Sequence, residues 1–142
     1  MIDVTADIII AASPAHIAGV MFDPSRYAEW MQAVTSVEVL DAALAPGARV
    51  RHRGSFMGRE LTWMTTVETV HFPHVLVLQV TEGPFVGVTR IGIQRSGEGS
   101  RVQVQNSGEL KGLGFIPDMM VAGPMKTALA ADLERLKVLV EG

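Results

Sequence analysis

The stretch that most constrains this chain is its C-terminal segment, residues 115–141. Leu129, Leu133, Leu136 and Val140 recur at helical spacing, and Ala122, Met119 and Phe115 extend the same apolar face backwards. Lys126, Asp132, Glu134, Arg135 and Lys137 take the opposite face. At about 1.5 Å per residue this predicts a helix roughly 40 Å long. Nothing else in the chain reads as a helix of that length. A long helix with one apolar face and no helical partner must bury that face against a sheet.

The preceding residues supply the sheet. A strand is predicted over 4–11, where Ile8-Ile9-Ile10 is apolar on both faces. Ser13-Pro14 then starts a short helix ending near Met21, with Ser13 as N-cap and Pro14 at the first helical position. Asp23-Pro24 breaks it before a second short helix over 25–31. Six strands follow, over 36–40, 48–56, 59–72, 75–81, 85–95 and 100–110, separated by turns rich in Gly and Pro. Short turns between successive strands predict an antiparallel meander. In the second of these strands Val50, His52, Gly54 and Phe56 share one face, while Arg49, Arg51 and Arg53 mark the solvent face. Leu61, Trp63, Thr65 and Val67 share a face of the next strand, the longest and the one where a bulge would most readily shift the alternation. Gly112 and Gly114 release the chain into the long helix, with Pro117 in its first turn, and Gly123-Pro124 interrupts it.

Length and charge limit the partners. A chain of 142 residues fits a single domain spanning 1–142. A net charge of −3 argues against nucleic acid. No apolar run is long enough to span a membrane, and the apolar run near the N-terminus follows Asp3 and Asp7 rather than basic residues, unlike a signal peptide. With 0 cysteines there is no thiolate chemistry, which suits a reducing, cytoplasmic setting.

Several segments carry a resemblance. Ala12-Ser13-Pro14 and its helix, residues 23–30, Val37-Glu38-Val39-Leu40, Gly47-Ala48-Arg49-Val50 and residues 132–137 together resemble the START-like or SRPBCC superfamily, in its bacterial polyketide cyclase/dehydrase branch. The resemblance covers the whole chain and rests on architectural residues. It implies an α+β helix-grip fold: a seven-stranded curved antiparallel sheet wrapped around the C-terminal helix, with two short helices after the first strand. It also implies a cavity between sheet and helix. Members include aromatic cyclases, lipid and hormone carriers, quinone-binding proteins and chaperone activators, so the resemblance fixes a cavity and not a reaction.

The residues point the same way. Gly54, Thr65, Gly87, Thr89 and Asn106 on the concave face, opposite Ala122, Gly123 and Ala130, are too small or too polar to fill a core at normal density. The space is expected under the first half of the helix, lined by His52, Phe56, Trp63, Thr65, Leu78, Phe85, Thr89, Asn106, Phe115, Met119 and Ala122. His52 reads in two ways: a core histidine bonded to Thr65 or to the backbone, or a general acid/base. Trp63 reads as a wall of the core or cavity, and Tyr27 and Trp30 as packing for the second short helix. His71 and His74 flank a turn without a third ligand, so no metal is expected, and no cofactor fingerprint is present.

The sequence thus describes a binding module for a hydrophobic small molecule of polyketide, aromatic, isoprenoid or lipid-like character. The alternatives are a cyclase/dehydrase using His52 as acid/base, and a protein-binding role as in chaperone activators. A homodimer is left open.

Overall fold

The computed structural model describes residues 1–111 and 116–142. Phe115, with the Gly112 and Gly114 hinge expected before the long helix, lies outside the described residues. Strand β1 (Ile2–Ile10) is followed by helix α1 (Pro14–Met21), a 3-10 turn (Pro24–Arg26) and α2 (Tyr27–Trp30). Strands β2 (Val34–Val39), β3 (Arg49–Phe56), β4 (Arg59–His71), β5 (Val75–Glu82), β6 (Phe85–Ser96) and β7 (Gly99–Leu110) precede α3 (Asp118–Glu141). The seven strands form one antiparallel sheet in the order β1-β7-β6-β5-β4-β3-β2. β2 to β7 are a meander, and β1 closes onto the last strand. The antiparallel meander is the one expected from the pattern, and the whole is the helix-grip arrangement that the resemblance implies.

Local chemistry sets the element ends. Ser13 Oγ accepts from the His16 amide at 3.2 Å, with Pro14 opening α1. Asp23 caps the 3-10 turn by accepting from the Ser25 amide at 3.0 Å. The second predicted helix is thus a 3-10 turn followed by a single helical turn. Met57 and Gly58 both have positive φ, 54° and 77°, as a two-residue hairpin requires. β3 alternates as expected, with Arg49 and Arg51 outside, paired to Asp41 and Glu38. β4 carries the anticipated bulge, between Val67 and Thr69. Beyond it Val70, opposite the fully buried Leu76, continues the inner face.

α3 packs along β1 and against α1 and α2. Its C-terminal half buries Leu129, Leu133, Leu136 and Val140. That half is also held by polar clamps. Arg135 Nε donates to the Trp30 carbonyl at 3.1 Å, and Asp132 accepts from the Gln32 amide at 3.1 Å and pairs with Arg135. Lys137 donates to the Ile9 carbonyl at 2.9 Å, and Glu141 accepts from the Ala11 amide at 2.8 Å. The motif at 132–137 therefore ties α3 to the ends of β1 and α2.

The N-terminal half departs from expectation in two ways. Met119 is 82% exposed, and Val121 at 2% takes the inward place. At roughly 100° per residue, Met119 and Val121 lie about 80° to opposite sides of Leu129, and the inward row runs on Val121's side, through Val121, Met125, Leu129 and Leu133 in steps of four. The helix also runs without a break through Gly123-Pro124, with Pro117 as its N-cap and not inside its first turn. Pro124 removes the N–H that would pair with the Met120 carbonyl. Met120, Gly123 and Pro124 are all exposed, so the freed acceptor is on the hydrated side.

Candidate ligand-binding face

Strand register builds the inner face in transverse rows. Leu76, Ile91 and Val104 are in register across β5, β6 and β7, and all are at most 3% exposed. The next row is Val67-Leu78-Thr89-Asn106-Val4, from β4 to β1. After it comes Val50-Thr65-Val80-Gly87-Gly108-Ile2, from β3 to β1. Beyond these, His52 faces Trp63 and Phe85 faces Leu110. The first row is sealed, and half-buried residues appear only beyond it: Thr89 and Asn106 among buried Val67, Leu78 and Val4, the two glycines of the otherwise buried third row, and Phe56, Trp63, Phe85 and Leu110 beside the buried His52. Ala122 and Met125 of α3 are likewise half-buried, packed against the edge of the core. The half-buried residues of the concave face thus lie toward the end opposite the clamped half of α3.

The glycine pair sharpens this. A Cβ on Gly87 would come within 2.0 Å of the Ser107 carbonyl oxygen, and one on Gly108 within 2.2 Å of that of Val86. β6 and β7 are pinched here, which only glycine permits. The pinch also leaves two neighbouring positions of the inner face without side chains.

His52 is held more tightly than its sequence position implies. It is 3% exposed, its Nε2 lies 3.0 Å from Thr65 Oγ1, and its ring is sandwiched between two others. Trp63 stacks on one face at 5.1 Å and 3°, and Tyr27 from α2 on the other at 5.7 Å and 7°. Burial lowers the imidazole pKa to about 4, so the ring is neutral at pH 7. Its Nδ1 and the Trp30 indole N–H have no hydrogen-bond partner among the described residues. The sandwich was open to inference from the hairpin. A two-residue turn at Met57-Gly58 puts Phe56 opposite Arg59, hence His52 opposite Trp63 and Val50 opposite Thr65. The contribution of Tyr27 carried no such signal.

Thr65 and Leu78 also line a small, partly open space, of about 60 Å³, with Tyr27, Ala42, Ala43 and Ala48. It lies beneath the segment between β2 and β3, and no residue of α3 borders it. The sequence expected a cavity under the first half of α3 and gave no sign of a space here. Thr89 donates its hydroxyl to Asn106 Oδ1 at 2.6 Å, joining two of the expected polar residues. Met119 points away from the face, as described above. His74 bonds through Nδ1 to the Ile93 carbonyl at 2.8 Å, and no cluster of three potential metal ligands occurs among the described residues. No helix among the described residues is long and apolar enough to cross a membrane.

A curved sheet gripping a C-terminal helix, with an inner face half open at one end, defines a START-like helix-grip protein. Over residues 1–141 the sequence matches the family described as polyketide cyclase/dehydrase and lipid transport, and the chain belongs to that family. Solved structures agree on the fold. A START superfamily protein from Mycobacterium smegmatis is 21% identical, with 98% of this chain and 97% of that one covered and a TM-score of 0.86. The protein TTHA0849 from Thermus thermophilus is 23% identical, covering 97% and 96%, with a TM-score of 0.84. The Zhui aromatase/cyclase from Streptomyces sp. R1128 is 16% identical, covering 98% and 93%, with a TM-score of 0.80. No curated protein matches the sequence.

Proposed function

We propose that this protein binds a hydrophobic small molecule between the concave sheet face and the N-terminal half of α3. The observation that carries the reading is the set of half-buried side chains beyond the sealed Leu76-Ile91-Val104 row: Thr89, Asn106, Phe56, Trp63 and Phe85 on the sheet, and Ala122 on the helix. Aromatic and aliphatic side chains left half-wetted on a concave face gain by covering it, at about 25 cal/mol per Å² before ordering costs. Thr89 and Asn106 supply polar groups in the middle of that surface, a composition typical of ligand sites. The family description, with its cyclases, dehydrases and lipid transporters, is in keeping with such cargo.

A cyclase/dehydrase activity is the second reading, favoured by the unpaired Nδ1 of His52. Against it stand the enclosure of the ring between Tyr27 and Trp63 and its neutral state, which withholds an imidazolium acid near pH 7. Native mass spectrometry of gently purified protein, with extraction of bound compounds, tests the first reading. A reproducible apolar adduct is expected. Absence of any adduct, together with no thermal shift across a panel of lipids and aromatics, would overturn it. For the second, a cyclase assay on His52→Phe decides: full activity in that variant removes the acid/base role.

A further inference from the structure

Asn106 is the one primary amide in the two rows that span the half-open part of the inner face. Its Oδ1 is occupied, accepting the Thr89 hydroxyl at 2.6 Å. That bond fixes which way the amide faces, so the NH₂ is turned from Thr89. Its two N–H donors have no protein partner among the described residues, and the side chain is only half-buried, so solvent is what can satisfy them in the free protein. An apolar ligand covering this face removes that solvent. Unless it brings an acceptor, it leaves two donors buried and unpaired, which costs more than a hydrogen bond gains. The acceptor must be neutral, because neither row spanning this face carries a lysine or arginine among the described residues. A carboxylate here would be desolvated without a counter-charge.

We propose that Asn106, oriented by Thr89, selects ligands whose apolar skeleton carries a neutral acceptor oxygen, a carbonyl or ether, over both pure hydrocarbons and carboxylates. The inference rests on the ligand-binding reading above. Thr89 is a positioning residue: its hydroxyl is spent on holding the amide, and it acts through Asn106.

Three probes of nearly equal shape test it: 2-acetylnaphthalene, 2-isopropenylnaphthalene and 2-naphthoate, titrated into the intact protein and followed by calorimetry and NMR. The wild type is expected to bind the ketone about tenfold more tightly than the alkene, and the carboxylate more weakly than the ketone. The Asn106 side-chain amide protons should shift with the ketone and not with the alkene. Asn106→Leu should abolish the preference while still binding the alkene, with Asn106→Ala taking its place if the first variant misfolds. Thr89→Val should reduce the preference without abolishing it. Equal binding of ketone and alkene by the wild type, or a preference that survives removal of the amide, overturns this inference and leaves the ligand-binding reading standing. Failure of all three probes to bind overturns this inference, while the ligand-binding reading is decided separately by the native mass spectrometry and the panel of lipids and aromatics.

Discussion

Burial of His52 makes the stability of this protein depend on pH in a calculable way. An imidazole with an ordinary pKa of 6.5 in the unfolded chain is held at about 4 in the folded one, by removal from water. The folded state favours the neutral ring, so the unfolded state binds more protons across the interval between the two values. Stability therefore rises with pH there and is lost as pH falls. At about pH 7 both states are nearly neutral and the effect is about 0.2 kcal/mol. At about pH 5 the unfolded imidazole is almost fully protonated and the folded one mostly neutral, giving a loss of about 2 kcal/mol. Well below pH 4 it levels off at roughly 3 kcal/mol. The test compares wild type with His52→Phe, which keeps a ring between Tyr27 and Trp63 but cannot titrate. Leaving Thr65 without its partner destabilises the variant at every pH, so only the difference in pH dependence is diagnostic. Urea denaturation at both pH values should show wild type losing about 2 kcal/mol more than the variant on acidification. The carboxylates and the other histidines are common to both proteins and cancel. Parallel losses, or an NMR titration placing His52 near 6.5, would refute the reasoning.

Further outcomes follow from the packing. Leu136→Ala, at a fully buried position on α3, should cost about 2–5 kcal/mol in chemical denaturation, whereas Met119→Ala should stay within about 0.5 kcal/mol because the side chain is exposed. Gly87→Ala drives a Cβ against the Ser107 carbonyl and should cost about 1–3 kcal/mol or more, visible as a lowered melting temperature. Ser13→Ala removes the cap of α1 and should cost about 1 kcal/mol by the same measurement.

Much of the fold was legible because two periods, 3.6 and 2, run through nearly the whole chain. The leucine face of α3 is correct from Leu129 onward, where spacings of four and three alternate around one stripe. It fails at Met119, because the inward row continues from Leu129 through Met125 to Val121 in steps of four and leaves Met119 on the far side of the stripe. Pro124 was legible as a lost hydrogen bond but not as a break, because its exposed position lets water take the freed carbonyl. Strand alternation placed Thr65, Thr89 and Asn106 on the concave face, and the Met57-Gly58 hairpin set the register that brings His52 to Trp63. What could not be read arises from contacts between distant segments. Tyr27 reaches His52 only because the 3-10 turn at Pro24–Arg26 aims α2 at the sheet. The small space beneath the segment between β2 and β3 depends on residues with no periodic pattern.

The two halves of α3 divide the demands on it. The C-terminal half carries four buried aliphatic residues and side-chain bonds to the ends of β1 and α2, so this end of the molecule is fixed without reference to any ligand. The other half buries Val121, leaves Ala122 and Met125 half-covered, and gives up a helical hydrogen bond at Pro124. A site placed under the clamped half would compete with the packing that holds the fold together. Under the lightly packed half, the half-buried side chains can be exchanged for others at less cost in stability than the sealed ones, since they contribute less burial to the free protein. Variation in cargo within one fold is then a matter of a few half-buried positions such as Phe56, Phe85, Thr89 and Asn106. The sealed row and the clamps hold the fold from other positions, which is why the segments that reveal the fold are silent about the ligand.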